Sequence, residues 1–173
     1  MKVLREIFGC VKVMERRYRI DDRGPMTIVC DGTDDFKTND TRIYTMPKAG
    51  TFFGIHYRDV DDPMTKLVSV IKGRGMDYVI DLREDSPTYL QWEKIELSEI
   101  NAISVLIPAG IGHGFISLED DTIQCYSVDR CGDEAFSKYL NYKDEKIGLV
   151  LDHEVTAIAD YDVEAPFLDP FRK

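Results

Sequence analysis

The sequence predicts an all-β protein folded as a closed barrel or a sandwich. Short apolar-rich runs recur along the chain, clusters of turn residues separate them, and no amphipathic stretch of helix length lies between them. A sheet of βαβ units would need such helices.

Val11–Ile20 mixes apolar and charged residues and reads as a strand, ending at the turn Asp21-Asp22-Arg23-Gly24-Pro25. Met26–Cys30 is the next strand. Asp31–Thr41, rich in Asp, Thr, Gly and Asn, reads as a loop. Further strands are expected at Arg42–Met46, Thr51–Tyr57, Lys66–Lys72, Met76–Leu82, Trp92–Leu97, Ala102–Ile107, Gly114–Leu118 and Thr122–Asp129. Between them stand turn sequences such as Pro47-Lys48-Ala49-Gly50, Asp61-Asp62-Pro63 and Glu84-Asp85-Ser86-Pro87. Phe136–Tyr142 fits a strand or a helical turn, and a short peripheral helix is expected near Val155–Asp160. No repeat, low-complexity tract or linker interrupts the pattern, so residues 1–173 are read as one domain.

Composition narrows the function. With 173 residues, 43% hydrophobic and 31% charged, the chain has the balance of a folded globular protein. The formal net charge of −10 disfavours nucleic acid and anionic membranes, whose phosphates it repels. A single phosphate-bearing ligand would need local Arg and Lys. No apolar run approaches the roughly 18 residues of a membrane span. Met1–Glu6 carries an acid early and no apolar core of a signal peptide, so a cytoplasmic location is expected. The four cysteines, Cys10, Cys30, Cys125 and Cys131, form no C-x-x-C pair and read as reduced thiols.

The segment Ile107-Pro108-Ala109-Gly110-Ile111-Gly112-His113-Gly114-Phe115 carries the first chemical signal. Pro and Gly turn the chain, and small neighbours leave the His113 imidazole room to point into a barrel mouth. The pattern fits the second cupin motif, P-x-G-x-x-H. A histidine in a Gly-rich turn is, on its own, more often structural. The first cupin motif supplies H-x-H, but the matching stretch here, Gly54-Ile55-His56-Tyr57-Arg58, holds one imidazole. A transition-metal site needs three or four converging ligands, and the chain has three histidines in all. The expectation is therefore a cupin jelly-roll barrel without metal or other cofactor, whose histidine does acid–base work.

Several further motifs occur in one order: Asp21-Asp22-Arg23-Gly24, Gly54-Ile55-His56-Tyr57, Lys66-Leu67-Val68 with Gly73, Asp81-Leu82-Arg83 with Ser86 and Thr88, the His113 motif, Tyr126, Ile147-Gly148-Leu149, and Tyr161-Asp162 before Ala165-Pro166. Taken together, the sequence resembles the dTDP-4-dehydrorhamnose 3,5-epimerases over nearly its whole length. The resemblance implies that His56 is the catalytic base, Asp162 its carboxylate partner, Tyr126 the general acid and Lys66 the lysine near the sugar's carbonyl oxygen. Arg23 then meets the nucleotide's phosphates, and His113 faces the substrate.

These residue types suit the chemistry. Removing a proton beside a ketone needs a base and a donor or cation to hold the enolate oxygen. A tyrosine on the opposite face returns the proton from the other side and inverts the carbon. Without the resemblance, Tyr126 would read as a barrel aromatic, Lys66 as a strand-end lysine and Asp162 as a surface acid.

One position departs from the family: Phe53 stands where the family has a substrate-facing arginine. Arg58 is the nearby guanidinium, but five residues separate it from Phe53, which puts them on opposite faces of an unbroken strand. Compensation then calls for a bend after His56, and a changed substrate is expected. The implied activity is inversion at C3 and/or C5 of a nucleotide-diphospho-4-keto-6-deoxy sugar by a homodimer that shares its N-terminal strands. A related 3,4-ketoisomerase, or a barrel that binds a sugar nucleotide without turning it over, are the alternatives.

Overall fold

The computed structural model describes residues 1–30, 36–130 and 137–168. Its strands are β1 (Lys2–Ile7), β2 (Val11–Glu15), β3 (Tyr18–Asp21), β4 (Gly24–Thr27), β5 (Asp40–Met46), β6 (Thr51–Tyr57), β7 (Lys66–Lys72), β8 (Arg74–Asp81), β9 (Trp92–Ser98), β10 (Ile103–Ile107), β11 (Ile111–Ser117), β12 (Thr122–Val128), β13 (Lys138–Leu140) and β14 (Ala157–Ile158). Among the described residues a single short helix, α1 (Asp160–Val163), follows.

One sheet runs β1-β2-β10-β7-β12-β5 and the other β13-β6-β11-β8-β9, with β14 lying parallel along β6. β3 and β4 form a hairpin outside both sheets. Sequence neighbours are seldom sheet neighbours, the crossing pattern of a jelly roll. The main core lies between the sheets. Val13, Val68, Val70, Val105 and Ile107 come from the first sheet, and Val79, Leu97, Ile111 and Phe115 from the second. This is the cupin-type barrel that the sequence predicts.

The strand period of two places these side chains. β8 shows why its sequence is an almost unbroken apolar run. Val79 faces the core between the sheets, whereas Tyr78 and Ile80 point outward. There they are covered by Tyr142, Leu149 and other side chains of the C-terminal segment, so both faces of β8 are buried.

β6 and β7 match the predicted bounds, and other elements differ for identifiable reasons. Val11–Ile20 divides into β2 and β3 at Arg16, which is buried. The Arg16 amide donates to the Ala102 carbonyl (2.7 Å), closing the pairing with β10, and its Nη2 donates to the Ser98 carbonyl (2.8 Å); the chain leaves the sheet after it. Ala102 takes φ 52°, so β10 starts one residue later. β11 begins at Ile111 rather than Gly114, placing His113 inside the strand. Residues 157–158 of the expected helix pair with β6 instead, and the helix follows them. β1 was not predicted; it is an edge strand exposed along most of its length, with little apolar periodicity to betray it. Asp40 and Thr41 belong to β5 rather than the loop. Residues 31–35 of that loop, Cys131 and Phe136 lie outside the described residues.

Gly75 on β8 is a packing requirement. A Cβ there would lie 1.9 Å from Phe115 Cζ, inside the barrel. Gly75→Ala is expected to destabilise the fold by about 1–3 kcal/mol, the usual cost of overpacking a core. Urea unfolding midpoints of the two chains check this.

Candidate active site

One end of the barrel opens into a cavity with about 750 Å³ of empty space, its mouth included. Strand alternation aims most of its lining. β7 contributes Lys66, two residues before the core residue Val68. β12 contributes Gln124, Tyr126 and Val128, and β5 contributes Arg42 and Tyr44. β11 presents His113 and Phe115.

β6 is the exception to simple alternation. Phe53 and His56 both line the cavity although three positions apart. In the pairing with β11, His56 lies opposite His113 and Phe53 opposite Phe115, so β6 carries an extra residue between them. A bulge of this kind restores the facing that an odd spacing would destroy. Compensation for Phe53 by Arg58 would take a bend after His56; the irregularity of β6 lies before it.

His56 meets Asp162, its Nε2 lying 3.4 Å from Asp162 Oδ1. Asp162 is 2% exposed and sits on α1, across from Gly54. A Cβ on Gly54 would lie 2.6 Å from Asp162 Oδ1, so only glycine leaves the carboxyl its place. The His56 ring also packs edge-on against Tyr139, with centroids 4.9 Å apart.

Burial pushes the His56 imidazole down to about 3, with the positive charges of His113 and Lys66 acting in the same direction and a backbone hydrogen bond at Gly54 opposing them. Burial likewise raises the Asp162 carboxyl, opposed by the Gly54 amide. Both shifts disfavour charge, so the resting contact is not an ion pair. Burial, rather than attraction to the carboxylate, dominates the titration of His56.

A second imidazole–carboxyl contact adjoins the first. His113 Nδ1 lies 3.4 Å from Asp77 Oδ1, and Asp77 is fully buried. The other ring nitrogen, Nε2, lies 3.4 Å from Lys66 Nζ. Asp77 escaped the sequence reading. Its signal was an acid in the middle of the apolar run Met76-Asp77-Tyr78-Val79-Ile80, where an unassisted charge would be costly. The two histidine rings are 6.5 Å apart.

The cavity therefore gathers His56, Lys66, Tyr126, His113 and Phe53, with Asp162 behind His56. Phe53 packs on Tyr44, which stacks on Tyr126 at 5.7 Å, forming an aromatic wall. Arg58 is not in this lining. It borders a smaller adjoining recess, where its Nη2 donates to Asp62 Oδ2 (2.5 Å). Arg23 is also elsewhere. It sits at the tip of the β3–β4 hairpin, largely exposed, with its guanidinium donating to Asp21. Within one chain the expected phosphate contact is thus not assembled. Among the described residues, no three His, Cys, Asp or Glu gather as metal ligands would, and no helix is long and apolar enough to cross a membrane.

Fold and site together define a cupin-type barrel with a histidine–aspartate pair and a lysine at its mouth. Residues 10–169 match the family model described as dTDP-4-dehydrorhamnose 3,5-epimerase, and the chain belongs to that family. The dTDP-4-dehydrorhamnose 3-epimerase of Streptomyces niveus is 31% identical over 121 residues, covering 70% of this chain and 54% of the relative. The dTDP-4-dehydrorhamnose 3,5-epimerase of Sinorhizobium fredii is 35% identical over 100 residues, covering 58% and 51%. The aligned stretch thus spans about half the length of these relatives. Similarity in structure extends further. The Bacillus anthracis dTDP-4-dehydrorhamnose 3,5-epimerase, solved with TDP and pyrophosphate bound, superposes with a TM-score of 0.89 at 29% identity, covering 96% of this chain and 99% of that one. A 3'-monoepimerase from Streptomyces bikiniensis, in complex with dTDP-quinovose, gives 0.82 at 25% identity, with 91% and 83% covered.

The depressed pKa of His56 makes a prediction for stability. Above the ordinary value of 6.5, folded and unfolded chains both hold His56 neutral and it contributes no pH dependence. As pH falls from 6.5 towards about 3, the unfolded chain takes up a proton that the folded one refuses, so stability is lost. Asp162, being raised, acts in the opposite sense. The expected slope from His56 is up to about 1.4 kcal/mol per pH unit. Unfolding free energies of the wild type and His56→Asn between pH 4 and 7 should therefore converge or cross as pH falls. Parallel curves would contradict the shift.

Proposed function

We propose that the chain is an isomerase that inverts C3 and/or C5 of a nucleotide-diphospho-4-keto-6-deoxy sugar. The observation that carries this reading is a buried imidazole backed by a carboxyl, facing a cavity whose opposite sheet supplies a tyrosine.

Neutral His56 is the form able to take a proton from the carbon beside the ketone. Lys66, next to His113, would meet the carbonyl oxygen as it gathers negative charge. The positive field that depresses His56 is the one an enolate would cancel, so the base strengthens as the proton moves. Tyr126, which lines the cavity from the other sheet, would deliver a proton from the opposite face. That is the requirement for inversion, whereas a ketoisomerase protonates from the side of the base.

Arg23 joins the site from a second copy of the chain. The β3–β4 hairpin exposes Tyr18 (58%), Ile20 (70%) and Met26 (52%), an apolar surface suited to packing against a partner barrel. There Arg23 would bring a guanidinium to the nucleotide's phosphates. Sedimentation at micromolar concentration is expected to show a dimer, and Ile20→Asp should shift it towards monomer. A wild-type chain that sediments as a monomer would remove Arg23 from the site.

Solvent-deuterium uptake into a 4-keto sugar nucleotide tests the chemistry. His56→Ala should lower exchange by about 10²–10⁴-fold, the range for loss of a general base. Tyr126→Phe should impair inversion, read by product NMR, more than exchange, because His56 can return the proton to the face it came from. Wild-type binding without exchange would make the barrel a carrier rather than an enzyme.

A further inference from the structure

Asp162 stands on an element that cannot hold its own position. α1 has four residues and no side-chain N-cap, far short of the length at which a helix is stable by itself. Its N-terminal side is tethered by β14, where Ala157 and Ile158 pair with Thr51 and Phe52 of β6.

The C-terminal side depends on Asn141. This residue is 5% exposed and lies one position after β13. Its Nδ2 donates to the Val163 carbonyl (3.0 Å) and to the Ala165 carbonyl (3.1 Å). Its own amide donates to the Pro166 carbonyl (2.9 Å), and its Oδ1 accepts from the Lys143 amide (3.0 Å). One buried amide group thus clamps the chain immediately after Asp162 and is itself oriented by the turn that carries it.

The place of Asn141 in the sheet gives the clamp its consequence. β13 pairs with β6 so that Tyr139 lies opposite His56 and Leu140 opposite Ile55. The strand end that registers His56 is therefore the one that leads into the clamp on α1. Gly54 bounds the carboxyl from below, since any Cβ there would displace it. We infer that Asn141 is a positioning residue that sets the His56–Asp162 contact, by tying the C-terminal end of α1 to the strand paired with His56. A neighbouring acid, Asp144, accepts from the Leu168 amide (2.6 Å) and steadies the following turn, but it does not reach α1. The catalytic consequence rests on the acid–base role proposed above for the pair. The geometric one does not.

The test uses Asn141→Leu, which removes the donors, and Asn141→Asp, which keeps the shape but cannot donate once ionised. Thermal melts establish that each variant is folded. The ¹⁵N shifts of the His56 ring should move in both variants towards those of Asp162→Asn. In deuterium exchange, kcat should fall by about 10- to 100-fold, in line with a displacement of about 1 Å at a reacting group, while KM stays within about twofold. Introducing Asn141→Leu into Asp162→Asn should cost nothing further. Wild-type His56 shifts in both folded variants would overturn the inference, as would an equal loss of rate in the Asp162→Asn background. A wild-type chain that exchanges no deuterium, but whose His56 shifts respond to both variants, supports the clamp and sinks the epimerase reading instead.

Discussion

The extra residue between Phe53 and His56 is the constraint on which the site depends. A strand shows alternate residues to alternate faces, and three positions separate these two. Without the bulge, His56 would turn away whenever Phe53 faced the cavity. With it, Phe53 joins the aromatic wall, and His56 faces His113 across the β6–β11 pairing. The bulge also leaves Gly54 beside the carboxyl of Asp162.

β6 is the organising strand because it pairs on both sides. β11 on one side brings His113, and through β8 the buried Asp77. β13 and β14 on the other side bring Tyr139 and the approach to α1. Residues distant in sequence thereby become neighbours through backbone hydrogen bonds, whose register is set by which face must be buried. Burying the outer face of this sheet under the C-terminal segment has a second effect. It removes water from behind His56, and desolvation is the largest cause of its low pKa.

The electrostatics follow from that enclosure. Although the chain carries a net charge of −10, Lys66 and Arg42 line the cavity, the latter paired with Asp40. Near Lys66 and His113 the field disfavours a proton on His56 and favours negative charge on a bound ligand. The aromatic wall on the other side offers apolar contact, and Phe53 contributes no hydrogen-bond donor to it.

The sequence by itself determined the architecture, because alternating apolar strands and Gly, Pro and Asp turns are local features that survive without tertiary context. β6 and β7 could be bounded to the residue for this reason. His56 and His113 stand in short motifs, whereas Lys66 and Tyr126 were singled out through the family resemblance; all four line the cavity. Only the tertiary structure decided the rest. It buried Arg16 where a predicted strand divides, and it put a bulge into β6 before His56. It held Arg58 on Asp62, outside the main cavity. It revealed Asp77 and Asn141 as partners of the site; an acid within an apolar run marks Asp77 as a costly burial but does not name the imidazole it meets. The physical reason is the same each time. A polar side chain's role depends on which buried donor or acceptor it meets, and those partners lie far away in the chain, brought near only by sheet pairing and burial.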